Sequence, residues 1–420
     1  MMTDGDDPQA TPLGIVLGAS IFFPLAGGFF LSFLYRSINA MIAPDLINEL
    51  GLSPAELGLM TAAYFLGFGL FQLPLGFLLD RFGPARVQSS LLAVAAVGAL
   101  LFSTGETVLS LSLGRGLIGV GVAGALMSSF TAFTIWFPHR HLPLVNGCFM
   151  GFGGLGALAA TKPVEWALAL TDWRGLFLVL AAATAVVAIL IFICLPKPAG
   201  MATGLRWRDQ VKGLAVIYSD PLFQRVAPLA VTTIATGLSV QGLWAGTWLR
   251  DVAALDTSAV ATHLSLIAIG LTVGPALAGI AAGAARRAGV TLLTLFGSMA
   301  VVFMTFQVLI ILEWTGASYF LWTGFGLFIN AMAISYAVLS QAFPRELAGR
   351  LNTNLNMLMI FTAFAGQYLV GWLIGFWPQS PDGGYAPAAY QVGFGFLLSL
   401  QILAFIWFIA AGRDTVRTPD

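Results

Sequence analysis

Four ionisable side chains lie inside otherwise apolar stretches of the sequence: Arg36, Arg115, Lys162 and Glu165. Because a charge surrounded by hydrocarbon is costly, such side chains usually face a protein interior or a water-filled path and bind a partner there. Lys162 and Glu165 are three positions apart, which places them on neighbouring parts of one helix face. A proton taken up by Glu165 would release Lys162 to bind an anion. The pair therefore predicts either proton–anion exchange or a self-neutralised structural pair.

Arg36 is the most informative of the four. The nearest acidic residue is Asp45, about two and a half helical turns later, so the partner of Arg36 is not local. Arginine presents a planar fork of donors that matches carboxylate and phosphate oxygens. We therefore predict that Arg36 binds an anion. The alternative is that its side chain snorkels to the outer headgroups or pairs internally.

The composition indicates which elements position these residues. Of the 420 residues, 58% are apolar and 9% are charged, whereas about 25% of a soluble domain is charged. A soluble globule is therefore excluded, and about a dozen membrane helices of about 20 residues each would absorb the apolar residues. The formal net charge is zero, and no clustered positive surface for nucleic acid occurs. The acidic N-terminus does not resemble a cleavable signal peptide, so the first apolar segment is expected to be a retained helix.

Twelve apolar runs can be drawn between clusters of charge, proline and glycine. They cover residues 15–43, 57–79, 87–104, 108–136, 143–170, 175–195, 222–249, 260–283, 290–312, 317–342, 351–377 and 389–411. The longest hydrophilic connection, 196–220, follows the sixth run. We therefore predict a six-helix bundle over residues 1–195, a cytoplasmic linker over 196–220 and a second six-helix bundle over 221–420.

Lysine and arginine predict the orientation, since positively charged loops stay on the cytoplasmic side of a membrane. With the N-terminus inside, fourteen of the nineteen cations fall in inner segments, and only Arg174 and Arg250 fall in outer loops. Both termini are therefore predicted to be cytoplasmic.

Landmarks repeated at one spacing support the division into halves. Phe137 of a Phe-Pro pair after the fourth run matches Phe343 of a Phe-Pro pair after the tenth run, at an offset of 343 − 137 = 206. The loop that begins at Gly76 matches the segment that begins at Gly279, at an offset of 279 − 76 = 203. The two offsets agree within three residues.

The connection between the second and third runs carries a specific motif, formed by Gly76, Asp80, Arg81, Gly83 and Arg86. It resembles the loop signature G-x-L-x-D-R-x-G-R-R/K of the major facilitator superfamily of secondary transporters. Its glycines allow a tight turn and close helix approach, and its carboxylate can accept from a helix N-terminus and pair with arginine. The resemblance implies a latch for one conformational state. An ordinary positive-inside loop is the alternative.

A second motif lies in the fourth run. Arg115-x-x-x-Gly119-x-Gly121 is similar to the R-x-x-x-G-x-G helix motif of the same family, which implies a part in proton coupling. The arginine should face the bundle interior and bind a carbonyl or a carboxylate. The alternative is a structural arginine bonded to a neighbouring helix.

The stretch around Arg36 extends the resemblance to particular branches. With Pro44 expected to end its helix, it resembles the first helix of the organophosphate/phosphate antiporters and of the anion/cation symporters, whose arginine contacts the anion. The organophosphate pattern has a second arginine in the seventh helix, where this chain has Leu238 and Gln241. A monovalent or carboxylate anion is therefore favoured over a doubly charged phosphate ester.

The combined prediction is an all-α membrane protein with the major facilitator fold: twelve transmembrane helices in two pseudo-symmetric six-helix bundles around a central site. We expect a secondary transporter of a small organic or inorganic anion in the cytoplasmic (inner) membrane, coupled to protons or by exchange, and not an enzyme. The predicted substrate-binding residues are Arg36, Asn39, Lys162, Gln241, Trp244, Asn330 and Tyr336, and the predicted coupling residues are Glu165 and Arg115.

Two other functions are open at this point. Export of a hydrophobic or cationic compound would need an exposed cavity acid, for which Glu165 is the candidate. A non-transporting membrane factor that assists assembly or sensing is the second. The expected partners are a small solute, a coupling ion and the lipid bilayer. The sequence implies no cofactor, metal, nucleic acid or oligomer, and it has no phosphate-binding P-loop for ATP-driven pumping.

Overall fold

The computed structural model describes residues 15–196, 216–380 and 383–411, and the regular structure in these ranges is helical. The first half contains α1 (Ile15–Ser37), α2 (Asn39–Leu50), α3 (Pro54–Ser103), α4 (Val108–Val122), α5 (Ala125–Trp136), α6 (Leu142–Ala159), α7 (Lys162–Leu168) and α8 (Trp173–Cys194). The second half contains α9 (Pro221–Ser239), α10 (Ala245–Asp251), α11 (Thr257–Arg287), α12 (Leu292–Ile311), α13 (Ser318–Ala331), α14 (Ile334–Ala342), α15 (Arg345–Ile374) and α16 (Pro387–Ala410). A π-helical turn, Val240–Trp244, joins α9 to α10.

Eleven helices within the described ranges are long and apolar enough to cross a membrane. One of them, α3, has 50 residues, more than twice the about 20 residues that one crossing needs. Inside α3, Gly83 leaves helical geometry with φ 76° and ψ 163°, which divides the helix into two rods. Each rod coincides with one of the runs predicted at 57–79 and 87–104.

Side-chain caps fix where several helices begin. Ser53 and Glu56 form a capping box on α3, in which the Glu56 N–H donates to Ser53 Oγ at 3.3 Å and the Ser53 N–H donates to the Glu56 carboxylate at 2.9 Å. The Asp256 carboxylate accepts from the Ala259 N–H at 2.7 Å and so caps α11. These caps satisfy backbone donors that a helix leaves unpaired. Short polar loops are therefore sufficient to reverse the chain.

Short connections make consecutive long helices antiparallel, so the molecule has two faces at which helices begin and end. The Arg-rich face carries Arg81, Arg86, Arg140, Arg286 and Arg287. The opposite, Arg-poor face carries Arg174 and Arg250.

Pro44 does not end the first long helix, contrary to the sequence-based expectation. The helix α2 continues to Leu50 with Pro44 inside it. Proline lacks an N–H, so the carbonyl of Ala40, four residues earlier, loses its helical donor. Gly246 of α10 packs against this carbonyl so closely that a Cβ atom at Gly246 would overlap with it. The freed carbonyl therefore lies where the two halves of the chain meet.

The halves meet along what we call the cross-half seam, toward the Arg-poor face. Within the described ranges, three side-chain hydrogen bonds cross it: Gln241 Nε2 to Ser37 Oγ at 3.1 Å, Thr161 Oγ1 to Ser265 Oγ at 2.8 Å, and Lys162 Nζ to Ser258 Oγ at 2.6 Å. Gly371, near the end of α15, contacts the carbonyl of Pro54. Toward the Arg-rich face, each half packs on itself. The helix α5 contacts α1, α3 and α6 of the first half, and α14 contacts α9, α11, α12 and α15 of the second half.

Backbone landmarks repeat between the halves at an offset of 206. Gly83 and Gly289 both have positive φ, 76° and 71°, and 289 − 83 = 206. Phe137 and Phe343, which share this offset, each follow the end of a helix in extended conformation. The sequence match of Gly76 to Gly279 is therefore three residues out of register, because the turn of the second half lies at Gly289.

Candidate functional site

Arg36 lies on the last turn of α1, just before the backbone interruption that separates α1 from α2. Its guanidinium stacks on Phe33, with Cζ 3.9 Å from the ring centroid, and its Nε is buried without a hydrogen-bond partner. The ion pairs in the described ranges join other residues and leave Arg36 without a carboxylate. The structure therefore places an uncompensated cation at the end of α1.

Arg115 is fully buried, and its Nη1 donates to the carbonyl of Tyr35 at 2.9 Å. The Tyr64 ring belongs to the same cluster: its centroid is 5.2 Å from Arg115 Cζ, and its hydroxyl donates to the carbonyl of Ser32 at 3.1 Å. Gly119 allows α4 to approach this closely, because a Cβ atom there would overlap with the carbonyl of Tyr64. A carbonyl is a partner that an arginine buried in an apolar helix requires.

Polar side chains lie beside Arg36 on the side of the Arg-poor face. Asn39 Nδ2 donates to Thr61 Oγ1 at 2.8 Å, and Gln241 Nε2 donates to the hydroxyl of Ser37. Gln241 belongs to the π-helical turn, a geometry that is frequent at functional sites. Asn39 Oδ1 is buried without a partner. This polar layer therefore keeps unused acceptor capacity.

Gln367 is a polar residue of this region that the sequence analysis missed. Its carbonyl accepts from Trp244 Nε1 at 3.1 Å, and both amide atoms of its fully buried side chain lack a hydrogen-bond partner. An unpaired buried amide is costly, so it marks a place that needs an explanation. Polar residues were sought on the helices predicted to line the cavity, whereas Gln367 lies on the eleventh run. A glutamine inside an apolar run was the available signal.

Two of the predicted substrate-binding residues, Asn330 and Tyr336, lie on the tenth run. The Tyr336 hydroxyl donates to Met359 Sδ at 3.3 Å, so this side chain faces α15. No hydrogen bond or ion pair within the described ranges links Tyr336 to Arg36. The side chain of Asn330 lies outside the described residues.

Lys162 and Glu165 form an ion pair, with 2.9 Å between Nζ and Oε2. The run predicted over residues 143–170 is interrupted before this pair, since α6 ends at Ala159 and α7 begins at Lys162. Lys162 also donates to Ser258 across the cross-half seam. The two side chains are 27% and 19% exposed, so water reaches both. This geometry fits charge exchange at the seam as well as a structural pair.

The motif between the two rods of α3 makes a turn at the Arg-rich face. Gly83 forms the turn, and Asp80, Arg81 and Arg86 are exposed. None of the three takes part in an ion pair among the residues that the structure describes. A Cβ atom at Gly76 would meet nothing within 4 Å. Among the residues that the structure describes, the expected close helix approach at Gly76 is therefore absent, and the motif makes no ion pair that could act as a latch in this conformation.

A recess of about 670 Å³ opens at the Arg-poor face, away from Arg36. It is lined by Asp45, Asn48, Glu49 and the segment from Leu168 to Trp173. Burial, and then the neighbouring Glu49 carboxylate, raise the pKa of Asp45. Two carboxylates repel an anion, so this recess does not suit the chemistry predicted for Arg36.

The sequence matches a family model over most of its length. The model describes the Major Facilitator Superfamily and matches residues 25–367. The chain belongs to this superfamily. It is therefore a multi-pass membrane protein of a transporter family, and not an enzyme.

Several curated relatives of this superfamily member are transporters of anions. The chain is 32% identical over 155 residues to a probable sulfoacetate transporter of Cupriavidus necator, covering 37% of this chain and 36% of that protein. It is 28% identical over 177 residues to the hexuronate transporter of Escherichia coli, covering 40% of each chain. It is 31% identical over 150 residues to a nitrate/nitrite transporter of Picosynechococcus, covering 36% of this chain and 28% of that protein. The matches thus span about a third of the length of these relatives.

Solved structures share the fold. A bacterial homolog to the human lysosomal transporter Spinster, inward-facing and unoccupied, superposes with a TM-score of 0.80 at 14% identity, covering 97% of this chain and 100% of that chain. The nucleoside transporter NupG superposes with a TM-score of 0.74 at 12% identity, covering 94% and 99%. At these identities the likeness concerns the fold alone.

Proposed function

We propose that this protein is a secondary active transporter of a small organic or inorganic anion. The observation that carries the proposal is Arg36, a cation inside an apolar helix without a carboxylate partner among the described residues. A charge in this environment is costly unless a partner compensates it. A bound carboxylate or other oxyanion would supply that partner with two charge-assisted hydrogen bonds. The sulfoacetate, hexuronate and nitrate named for the relatives are all anions, which supports the same class of substrate.

The polar layer beside Arg36 provides the remaining substrate contacts in this proposal. Asn39, Gln241 and Trp244 lie where the two halves meet, close to the end of α1. Of the two arginines described here, Arg115 is bound to the carbonyl of Tyr35, whereas Arg36 makes no hydrogen bond or ion pair with the described residues, so one anionic group can be compensated there. A monovalent or carboxylate anion fits this charge better than a doubly charged phosphate ester.

Transport proceeds by alternating access in this proposal, with a bundle over residues 1–195 rocking against a bundle over 221–420. The linker of 196–220 lies largely outside the described residues. The cross-half seam closes the Arg-poor face, while α5 and α14 pack within their own halves toward the Arg-rich face. Such an arrangement faces inward if the Arg-rich face is cytoplasmic, as the positive-inside rule requires.

Coupling is assigned to Glu165 and Arg115 in this proposal. Protonation of Glu165 removes the charge that holds Lys162 and so loosens the seam, where Lys162 also binds Ser258. Arg115 holds the end of α1 through the carbonyl of Tyr35, next to Arg36. In this proposal a proton acts at the seam, and an anion acts at the end of α1. The substrate-driven movement could thus be proton-coupled or run as exchange.

The proposal is tested by replacing Arg36 in full-length protein. The uptake of radiolabelled sulfoacetate, glucuronate and nitrate into proteoliposomes identifies a transported anion. The Arg36→Gln variant should then bind that anion about 10- to 100-fold more weakly, since a lost charge-assisted hydrogen bond costs about 1.5–3 kcal/mol. Arg287→Gln, which removes an exposed arginine at the Arg-rich face, is the matched control. Full uptake by a folded Arg36→Gln variant would contradict the proposal.

A further inference from the structure

We propose that a groove between α9, α12 and α16 binds an anionic phospholipid at the Arg-rich face. The groove has a volume of about 300 Å³. Arg225, Thr294 and Ser298 form its polar end, and Val301, Phe405 and Phe408 form its apolar part. This combination suits an amphipathic ligand with a phosphate headgroup. It is independent of the anion site at Arg36.

The ends of the three helices place the groove at the level of lipid headgroups. The helices α9 and α12 begin at this face, with Pro221 and Leu292, and α16 ends at it with Ala410. Trp407 is 51% exposed, and its indole N–H donates to the carbonyl of Gln224 at 2.8 Å. A half-exposed tryptophan near the end of a membrane helix is typical of the membrane–water interface.

The polar end of the groove is built around Arg225. Its Nε donates to the carbonyl of Phe408 at 2.9 Å, and its Cζ is 4.9 Å from the Phe408 ring centroid. These contacts hold the guanidinium in one position at the polar end of the groove. Thr294 and Ser298 are exposed residues of the neighbouring helix α12, where the Ser298 hydroxyl donates to the carbonyl of Thr294 and the Thr294 hydroxyl is bonded to that of Thr291. The guanidinium is the group suited to a phosphate diester, and these residues make the surface beside it polar.

The apolar part of the groove faces the surrounding lipid. Val301 of the groove is 43% exposed, and outside its lining, on the helix that carries Phe405 and Phe408, Ile402 and Ile409 are 44% and 49% exposed. Gly297 allows α12 to lie close to Phe408 of α16 at the base of the groove, because a Cβ atom at Gly297 would approach the Phe408 ring to 3.0 Å. Free phosphate could use only the polar end, whereas a phospholipid would also cover these apolar side chains. Basic pockets between membrane helices on the cytoplasmic side bind anionic headgroups in this way.

The test is native mass spectrometry of the full-length protein in detergent, titrated with phosphatidylglycerol, phosphatidylcholine or inorganic phosphate. The parent protein should bind phosphatidylglycerol in preference to the other two. The Arg225→Gln variant should bind it about tenfold more weakly. Arg287→Gln, which removes an exposed arginine of the same face outside the groove, should bind it as the parent does.

A second variant keeps the test decisive where Arg225→Gln does not fold. Ser298→Trp fills the groove from an exposed position of α12 and should also displace phosphatidylglycerol. Three results would overturn the proposal: equal binding of phosphatidylglycerol and phosphatidylcholine, binding of inorganic phosphate as tight as that of phosphatidylglycerol, or unchanged phosphatidylglycerol binding by both variants.

Discussion

At the scale of single residues, carboxylates pair with three cations toward the Arg-poor face and not with Arg36. The pairs are Lys162 with Glu165 at 2.9 Å, Arg174 with Glu49 at 2.8 Å, and Arg250 with Asp251 at 2.7 Å. Arg174 and Arg250 also belong to networks that hold helix ends together, since Arg174 donates to the carbonyls of Ser103 and Gly105, and Asp251 accepts from Tyr390. Among the described residues, Arg36 lies over the Phe33 ring and has no carboxylate partner. This difference is why the anion proposal depends on Arg36.

The coupling proposal predicts the behaviour of Glu165→Gln. This variant should exchange anion across a membrane but fail to accumulate it when a proton gradient is imposed, because exchange requires no net proton movement. Counterflow and gradient-driven uptake in proteoliposomes measure the two activities. Glu106→Gln, which changes an exposed carboxylate at the Arg-poor face, serves as the control. Normal gradient-driven accumulation by Glu165→Gln would show that the proton binds elsewhere.

At the scale of elements, two glycines of one motif have different structural roles. Gly83 has φ 76° and ψ 163° and turns the chain between the two rods of α3. Gly76 lies within the first rod, where the space beside it is open. The turn glycine is thus required by the backbone. The helical glycine is not required in this conformation, and it becomes a requirement only where a second helix approaches it.

This contrast predicts opposite results for two alanine variants. Gly83→Ala should lower the free energy of unfolding by about 1–3 kcal/mol, because only glycine adopts this backbone geometry without strain. Gly76→Ala should leave it unchanged or raise it by up to about 1 kcal/mol, since alanine favours helix. Thermal unfolding in detergent measures both. Slower transport by a stable Gly76→Ala variant would indicate a close helix approach in the other conformational state; equal melting temperatures would contradict the role given to Gly83.

The elements also show how far sequence reasoning reaches. The apolar runs and the turn at Gly83 follow from local composition, and the structure has them, whereas the break before Lys162 falls inside a run drawn as continuous. The continuation of α2 past Pro44 does not follow from local composition, because it depends on a contact with Gly246, about 200 residues away in the sequence. The unpaired amide of Gln367 was missed for a different reason. A glutamine inside an apolar run is visible in the sequence, but the run that carries it was not among those expected to line the cavity.

At the scale of the whole molecule, the orientation can be tested directly. Single cysteines are introduced at Glu106 on the Arg-poor face and at Arg287 on the Arg-rich face, in a protein with Cys148 and Cys194 replaced by alanine. A membrane-impermeant maleimide should label the Glu106→Cys variant in intact cells and the Arg287→Cys variant only after permeabilisation, because cation-rich loops stay cytoplasmic. The reverse pattern would invert the proposed topology.

The unpaired charge of Arg36 has an electrical consequence. In the proposed cycle, the carrier without substrate holds the Arg36 charge within the membrane field, and a bound monovalent anion cancels that charge. Moving one full charge through 100 mV changes the free energy by about 2.3 kcal/mol. An inside-negative potential should therefore draw the empty carrier toward the conformation that opens to the cytoplasm, while the loaded carrier, which keeps the Arg115 charge but has that of Arg36 cancelled, should respond less to voltage. Pre-steady-state currents on supported membranes should be larger for the empty protein than at saturating anion, and an inside-negative potential should slow the return of the empty carrier after uptake.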